Sequence, residues 1–166
     1  MVSALSALLG SRSMITDEIE PYSGEQRTLI VYFSQGEATR WVAEDLMWIF
    51  GADIEAIVEK RERKTNFINF MFSGFQSTFE IPSRIEKSMF DPADFDRIFV
   101  LSPIWSWSLS PPVRAWLKAY KGKLPKTAFI TVSGDTKPDK VVAAMAKVSG
   151  VTPIAFAGFA ERHFHP

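Results

Sequence analysis

The side chains best placed to do chemistry fall in three short clusters. Ser34-Gln35-Gly36-Glu37-Ala38-Thr39 supplies two hydroxyls and several small residues. Pro103-Ile104-Trp105-Ser106-Trp107 sets two indoles beside a proline. Ser133-Gly134-Asp135 joins a hydroxyl, a glycine and a carboxylate. The first cluster precedes an apolar-periodic stretch. Free N–H groups and a helix dipole would converge there, which suits a phosphate and not a base or a sugar. The second suits a flat aromatic ring. In the third, Gly134 lets the backbone come close to a ligand.

The remaining reactive groups are poorly grouped. His163 and His165 have the spacing of metal ligands, but no third ligand or carboxylate accompanies them, and they read as bystanders. These are the only two histidines, and both lie in the last four residues. No Ser-His-acid arrangement follows. Asp135 could move a proton, but capping a helix ahead of Pro138 suits it better. No metal site and no catalytic side chain is assigned.

Elements must hold the three clusters in place. Leu29 to Phe33 is a continuous apolar run, the pattern of a strand covered on both faces. A helix follows, with Ala38, Trp41, Val42, Leu46, Ile49 and Phe50 on one side and Gly51 as its stop. Asp53 to Val58 reads as a second strand. The charged run Glu59 to Lys64 reads as a solvated loop. Ile68, Met71, Phe72, Phe75 and Phe79 repeat at helical spacing and predict a helix facing the sheet; a cofactor lid or a dimer surface is the other reading.

Arg97 to Leu101 predicts a third strand, and 102–110 an unusual loop at its carboxyl end. Ser110 and Pro111 are suited to N-cap and N1 of the next helix. That helix buries Val113, Trp116, Leu117 and Tyr120 and closes at Gly122. Thr127 to Val132 is a fourth strand. Pro138 opens a helix with Val141, Val142, Met145 and Val148 inward, and Gly150 ends it. Thr152 to Ala160 is a fifth strand, with Pro153 near its start. Strands alternating with helices imply right-handed crossovers and a parallel sheet with helices on both faces.

At 166 residues the chain fits one domain able to bury its own core. Residues 1–27 read as an N-terminal extension, flexible or loosely packed, ahead of a domain at 28–166. Met14 is an alternative start. Ala4 to Gly10 is apolar but too short to span a membrane, and no basic lead marks a secretory signal. There is no cysteine, which excludes disulfides and thiolate chemistry and fits a cytoplasmic setting. Lys plus Arg and Asp plus Glu both number 19, so a general nucleic-acid footprint is not expected. Of the 14 Phe and 5 Trp many must be core, and some can line a flat, apolar ligand site.

All three clusters leave carboxyl ends of predicted strands. In a doubly wound sheet such loops can meet over one crevice. A phosphate pocket beside an aromatic slot describes a mononucleotide, and a flavin fits best. The segments YFSQGEATRWVAEDL, FDRIFVLSPIWSWSLSPPVRAWL and TAFITVSGD resemble the first, third and fourth strand–loop units of the flavodoxin-like family. The resemblance spans about residues 28–160. It implies a three-layer α/β/α sandwich with five parallel strands in the order 2-1-3-4-5, and a bound FMN. By position, Ser34, Gln35, Gly36, Ala38 and Thr39 would hold the phosphate. Pro103, Ile104, Trp105, Ser106, Trp107, Ser133, Gly134 and Asp135 would flank the isoalloxazine, with one tryptophan near the ring and one mainly structural.

The first loop departs from the family's Ser/Thr-x-Thr-Gly-x-Thr. Gly36 stands at the usual Thr and Glu37 at the usual Gly. The Gly position can require φ > 0, which costs a side chain about 1 kcal/mol. Either Glu37 carries that strain, or Gly36 has taken it over with the turn shifted by one. A carboxylate there also repels a phosphate, and Arg40 could offset it. The ring loop lacks the glycine that the family often has near Ser106-Trp107. Two functions follow. One is an FMN-dependent redox protein, serving a redox partner protein or a small-molecule electron acceptor. Balanced charge favours a reductase over a dedicated carrier, since carriers tend to be acidic. The other is a binding or interaction module that keeps the fold without FMN.

Overall fold

Apolar runs that cannot be solvated on either side become the strands at the centre of the molecule. The computed structural model describes residues 14–15, 26–60, 82–134 and 137–160. In chain order the elements are β1 (Met14–Ile15), β2 (Thr28–Tyr32), α1 (Ala38–Phe50), β3 (Asp53–Ala56), a 3-10 turn (Pro92–Asp94), β4 (Arg97–Trp105), β5 (Ser108–Leu109), α2 (Pro111–Ala119), β6 (Lys126–Ser133), α3 (Asp139–Ser149) and β7 (Ala155–Ala160). The parallel strands lie in the order β3-β2-β4-β6-β7. Numbered among themselves they run 2-1-3-4-5, the order the flavodoxin-like resemblance implies. Two short antiparallel pieces are additional. β1 pairs with the outer edge of β7, and β5 folds back on β4.

Alternation of side chains divides the core in two. Leu29, Val31, Ile98, Val100 and Phe129 face Val113, Trp116 and Leu117 of α2 and Val141, Val142 and Met145 of α3. Ile30, Phe99, Leu101, Ile130 and Val132 face the other way, where α1 brings Val42, Ala43 and Phe50. The strand sequence is apolar without alternation because both faces are covered. The layers obey crossover handedness. α1 links β2 to β3 in one direction across the sheet, while α2 and α3 link strands in the opposite direction and lie on the opposite face.

Gly51 and Gly150 close α1 and α3 in the left-handed conformation, at φ 55° and 73°. Glu55, buried on β3, ties down the stretch before β4. Its carboxylate accepts from Ser88 Oγ (2.8 Å) and the Met89 N–H (2.7 Å), and Trp116 Nε1 donates to the same Ser88 Oγ (3.2 Å).

Several expectations need correction. Ile49 is 39% exposed, because in the last turn of α1 the sheet-facing contacts are made by Met47 and Phe50. β7 begins at Ala155, so Thr152 and Pro153 precede it; the Ile154 N–H bonds to the Thr127 carbonyl (2.9 Å) just ahead of the strand. Ser110 does stand at the N-cap of α2, but its hydroxyl makes no cap bond. It lies 2.9 Å from Ser102 Oγ instead, a buried pair linking β4 to the helix start. The expected helix at 68–79, the charged run from 61 onward, Asp135, His163, His165 and most of the N-terminal extension lie outside the described residues.

Candidate functional site

Parallel register brings the three clusters to one edge. Tyr32 at the end of β2 lies beside Leu101 of β4, and Pro103 of β4 lies beside Val132 of β6. The chain leaves β2, β4 and β6 on the same side, and the three strands are neighbours. Successive strands stand about 4.8 Å apart, so the first and third clusters are roughly 10 Å from one another, with the second between them. β2 is also where the winding reverses, the position at which open α/β sheets form a crevice.

The first cluster is a short bend that runs into α1. Ser34 Oγ donates to the Gly36 carbonyl (2.5 Å) and folds the turn on itself. The first helical bond is from the Trp41 N–H to the Glu37 carbonyl (2.9 Å). Among the described residues the N–H groups of 36–40 meet no backbone acceptor, the usual state of a helix start. A Cβ placed on Gly36 would meet nothing within 4 Å, so the turn faces open space. Thr39, in the first turn of α1, is buried.

The strain expected in this turn is absent. Glu37 has φ −94° and ψ −30°, ordinary right-handed helical values, and Gly36 is not left-handed either. The helix simply starts one residue early, and Glu37 is its N-cap. Its carboxylate makes no cap bond and pairs with Arg40, whose Nε also lies 3.5 Å from Glu44. Both Glu37 and Arg40 remain about half exposed. Behind them, burial and then Glu44 raise the Tyr32 phenol above its ordinary value, with Glu37 adding to the rise and Arg40 opposing it.

The second cluster is a strand end and a hairpin, and no open loop forms there. Pro103 is the last residue of β4 paired with β6; Ile104 and Trp105 continue the strand past it, and Leu109 and Ser108 pair back on them. Ser106 and Trp107 make the two-residue turn with φ 46° and 59°, the only non-glycine residues of the described chain at positive φ. The type I′ form of a two-residue hairpin puts both central residues at positive φ, which is why Asn-Gly is its usual sequence. In this protein a serine and a tryptophan are held in that conformation, and Trp107 is 71% exposed. Trp105 is half-buried and meets Phe33 edge-to-face, with ring centroids 5.5 Å apart. The sequence reading missed Phe33 as a neighbour of the site. Its position as the last apolar residue before the bend was the available signal.

In the third cluster Ser133 is a buried strand residue opposite Ala160, not a loop residue. Gly134 is exposed, and a Cβ there would meet nothing within 4 Å. Of the predicted site residues, Ser34, Gln35, Gly36, Ala38, Thr39, Pro103, Ile104, Trp105, Ser106, Trp107, Ser133 and Gly134 thus share one edge of the sheet.

This arrangement defines a doubly wound three-layer α/β protein with the three clusters gathered at its topological switch point. No protein-family model matches the chain, and no curated protein does. Solved structures do match. The flavoprotein of Lactobacillus acidophilus NCFM, crystallised in complex with FMN, superposes with a TM-score of 0.68 at 19% identity, covering 81% of this chain and 92% of that one. The apo-form of the Lactobacillus flavoprotein, solved by NMR, gives 0.63 at 21% identity over 84% and 95%. The WrbA-like flavodoxin of Agrobacterium tumefaciens gives 0.50 at 15% identity over 81% and 76%. The fold is flavodoxin-like.

Proposed function

We propose that the protein binds FMN at this edge and acts as a flavin-dependent redox protein. The observation that carries the proposal is the juxtaposition itself: the N–H groups of residues 36–40, which meet no backbone acceptor among the described residues, the Trp105–Trp107 hairpin and the bare backbone at Gly134 follow the neighbouring strands β2, β4 and β6. Gly36, Ala38 and Thr39 would offer N–H groups to the phosphate, with Ser34 and Gln35 shaping the bend. Pro103, Ile104, Trp105, Ser106 and Trp107 would border the ring on one side and Ser133, Gly134 and Asp135 on another. The donor set suits a dianion, because a helix N-terminus and a row of N–H groups point at one place. The structural relatives include a protein crystallised with FMN, which supports the same reading.

When bound, FMN supplies one- and two-electron redox chemistry; the protein holds and orients it and sets the polarity around it. No side chain is assigned a proton-transfer step. Reduction of a small substrate fits the balanced charge of 19 basic and 19 acidic residues better than dedicated electron carriage. The electron acceptor would be a small molecule or a redox partner protein, in the cytoplasm. No helix of the described residues is long and apolar enough to cross a membrane.

One observation favours a second reading, a binding module without flavin. Glu37 places a carboxylate at the N-terminus of α1, where the phosphate would sit. A titration separates the two. Purified protein is stripped of ligand, FMN is added, and flavin fluorescence is followed. Saturable quenching with Kd below about 10 μM supports the flavin site; no saturation by about 50 μM sinks it and leaves the module.

A further inference from the structure

Zero net charge conceals a segregation along the chain. Residues 1–96 carry nine Lys and Arg against sixteen Asp and Glu, while residues 97–160 carry nine against two. From Arg97 to Gly134 there is no acidic residue. The fold turns this bias into a patch. α2 and α3 run against the strands, so both end at the amino edge of the sheet, opposite the three clusters. The Gly122 N–H bonds to the Ser149 carbonyl (3.3 Å) and ties the two helix ends together. Lys118 lies in the last turn of α2 and Lys147 in the last turn of α3. Lys121 and Lys123 lie in the link after α2, and Lys126 is the first residue of β6. All five are exposed. A Cβ on Gly150 would meet Lys121 Cε at 3.5 Å, so the Lys121 stem crosses the end of α3.

Helix C-termini attract cations, which accounts for Lys118 and Lys147. That attraction fades beyond the last turn and does not account for Lys123 and Lys126. Nor does the chain neutralise the group. The ion pairs among the described residues are those of Arg40 with Glu37 and Glu44, and none reaches these lysines. Asp96 adjoins Arg97, the residue paired with Lys126, but its carboxylate accepts from the Arg27 N–H (2.7 Å), on the β2 side. The surroundings select the partner. Lysine is a hydrated point charge without the bidentate fork of arginine, and it suits broad attraction better than a grip on one phosphate. Tyr120, the aromatic residue of the link, is half-buried and already packed on Trp116, with ring centroids 4.8 Å apart, which disfavours it as a stacking platform for bases. The large exposed apolar side chains of the described chain, Trp48, Ile49, Val58, Met89 and Trp107, all lie outside 118–126 and α3. The patch therefore has no apolar wedge to enter a bilayer.

We propose that Lys118, Lys121, Lys123, Lys126 and Lys147 form a docking surface for an acidic protein, engaged through charge and not through an apolar core. Contacts of this kind are steered at long range and weaken with salt. β6 runs eight residues from Lys126 to Ser133, so the patch stands roughly 23 Å from the carboxyl edge. A partner seated on it leaves the candidate site uncovered. The surface recruits the protein to its partner and is separate from the chemistry at the other edge. The inference holds whether or not FMN binds.

Fluorescein-labelled polyglutamate serves as the acidic probe, titrated with the full-length protein and followed by anisotropy. Saturable binding is expected at low salt, weaker by about tenfold at physiological salt. The triple variant Lys121→Gln, Lys123→Gln, Lys126→Gln should lose at least about fivefold in low-salt affinity, and Lys123→Gln alone part of that. The double variant Lys60→Gln, Lys87→Gln removes exposed lysines from the acidic half and should change it less than about twofold. Relief of like-charge repulsion should leave the melting temperature of the triple variant unchanged or higher, which separates lost docking from lost folding. Absence of saturable binding at low salt overturns the proposal, as do equal losses in the triple and double variants. Tighter binding of oligothymidylate or of phosphatidylserine vesicles than of polyglutamate, abolished by the same triple variant, overturns it in favour of a nucleic acid or a membrane. A parent protein that sediments as a dimer, with the triple variant monomeric, overturns it in favour of a second copy.

Discussion

Replacing Glu37 by Gln isolates the charge at the phosphate end of the proposed site. The side chain keeps its size, and the backbone at φ −94° and ψ −30° accepts any residue. A phosphate received by the N–H groups of 36–40 would stand about 6 Å from the carboxylate. Two charges against one at that distance repel by roughly 1.4 kcal/mol in water, and screening at physiological salt cuts this to about 0.7 kcal/mol. The half exposure of the Glu37 and Arg40 side chains justifies the aqueous dielectric. Glu37→Gln also releases Arg40 from its acidic partner and leaves its guanidinium able to face the phosphate. FMN should therefore bind about threefold tighter at physiological salt and about tenfold tighter at low salt.

Fluorescence titration at two ionic strengths measures this directly. Arg40→Gln should move affinity the other way by a similar factor. Glu37→Gly is the informative companion. It removes the same charge, and because the residue is not left-handed it relieves no strain. It should do no better than Glu37→Gln. An affinity for Glu37→Gln equal to or weaker than that of the parent at low salt refutes the electrostatic account. A gain confined to Glu37→Gly refutes the right-handed, unstrained backbone at residue 37.

Three further outcomes are expected. Gly158→Ala would place a Cβ 3.0–3.2 Å from the ring atoms of Pro138, which leads into α3. The ring has little freedom to yield, so urea unfolding should show a loss of about 2 kcal/mol. Trp107→Gly removes a left-handed residue from the hairpin turn and a side chain that packs on little. Stability should hold or rise by up to about 1 kcal/mol while FMN binding weakens about fivefold, a pair of opposite signs that a purely structural tryptophan would not produce. Tyr32, whose phenol is raised by burial and then by Glu44, favours the folded state below its unfolded pKa and loses that contribution as pH climbs through the folded value. Tyr32→Phe should flatten the fall in melting temperature above the ordinary tyrosine range without changing it near neutrality.

Much of the architecture is legible in the sequence because its signals are local and repeated. The apolar runs at 29–33 and 98–101 and the mostly apolar run at 128–132 are the pattern of strands with two covered faces. The glycines at 51 and 150 mark helix ends that need positive φ, and both adopt it. The parts that are not legible depend on partners distant in sequence. Ser110 reads as a helix cap, and its place in the chain is right, but Ser102 eight residues earlier takes its hydroxyl. Ile49 belongs to the apolar stripe by spacing, yet α1 covers only part of the sheet and leaves it half outside. Strand ends at 105 and 155 are set by pairing register, which spacing does not encode.

The place of strain shows how the candidate site differs from its sequence reading. The family's glycine lies in the first loop, so a glutamate in that position looks like the defect. In the structure the helix absorbs it as an unstrained N-cap with a charge partner. The positive φ values lie at Ser106 and Trp107, on the neighbouring strand, where the sequence shows no glycine. A left-handed tryptophan costs about 1 kcal/mol or more, and an exposed indole recovers little of that from packing. Folding alone gives no reason to hold it there. What the conformation achieves is to leave a large flat side chain exposed in the turn that follows β4, the strand next to β2. If that exposure serves a ring, the hairpin and not Glu37 is the feature on which flavin binding turns. Trp107→Gly should then reduce FMN affinity more than any single substitution among residues 34–39.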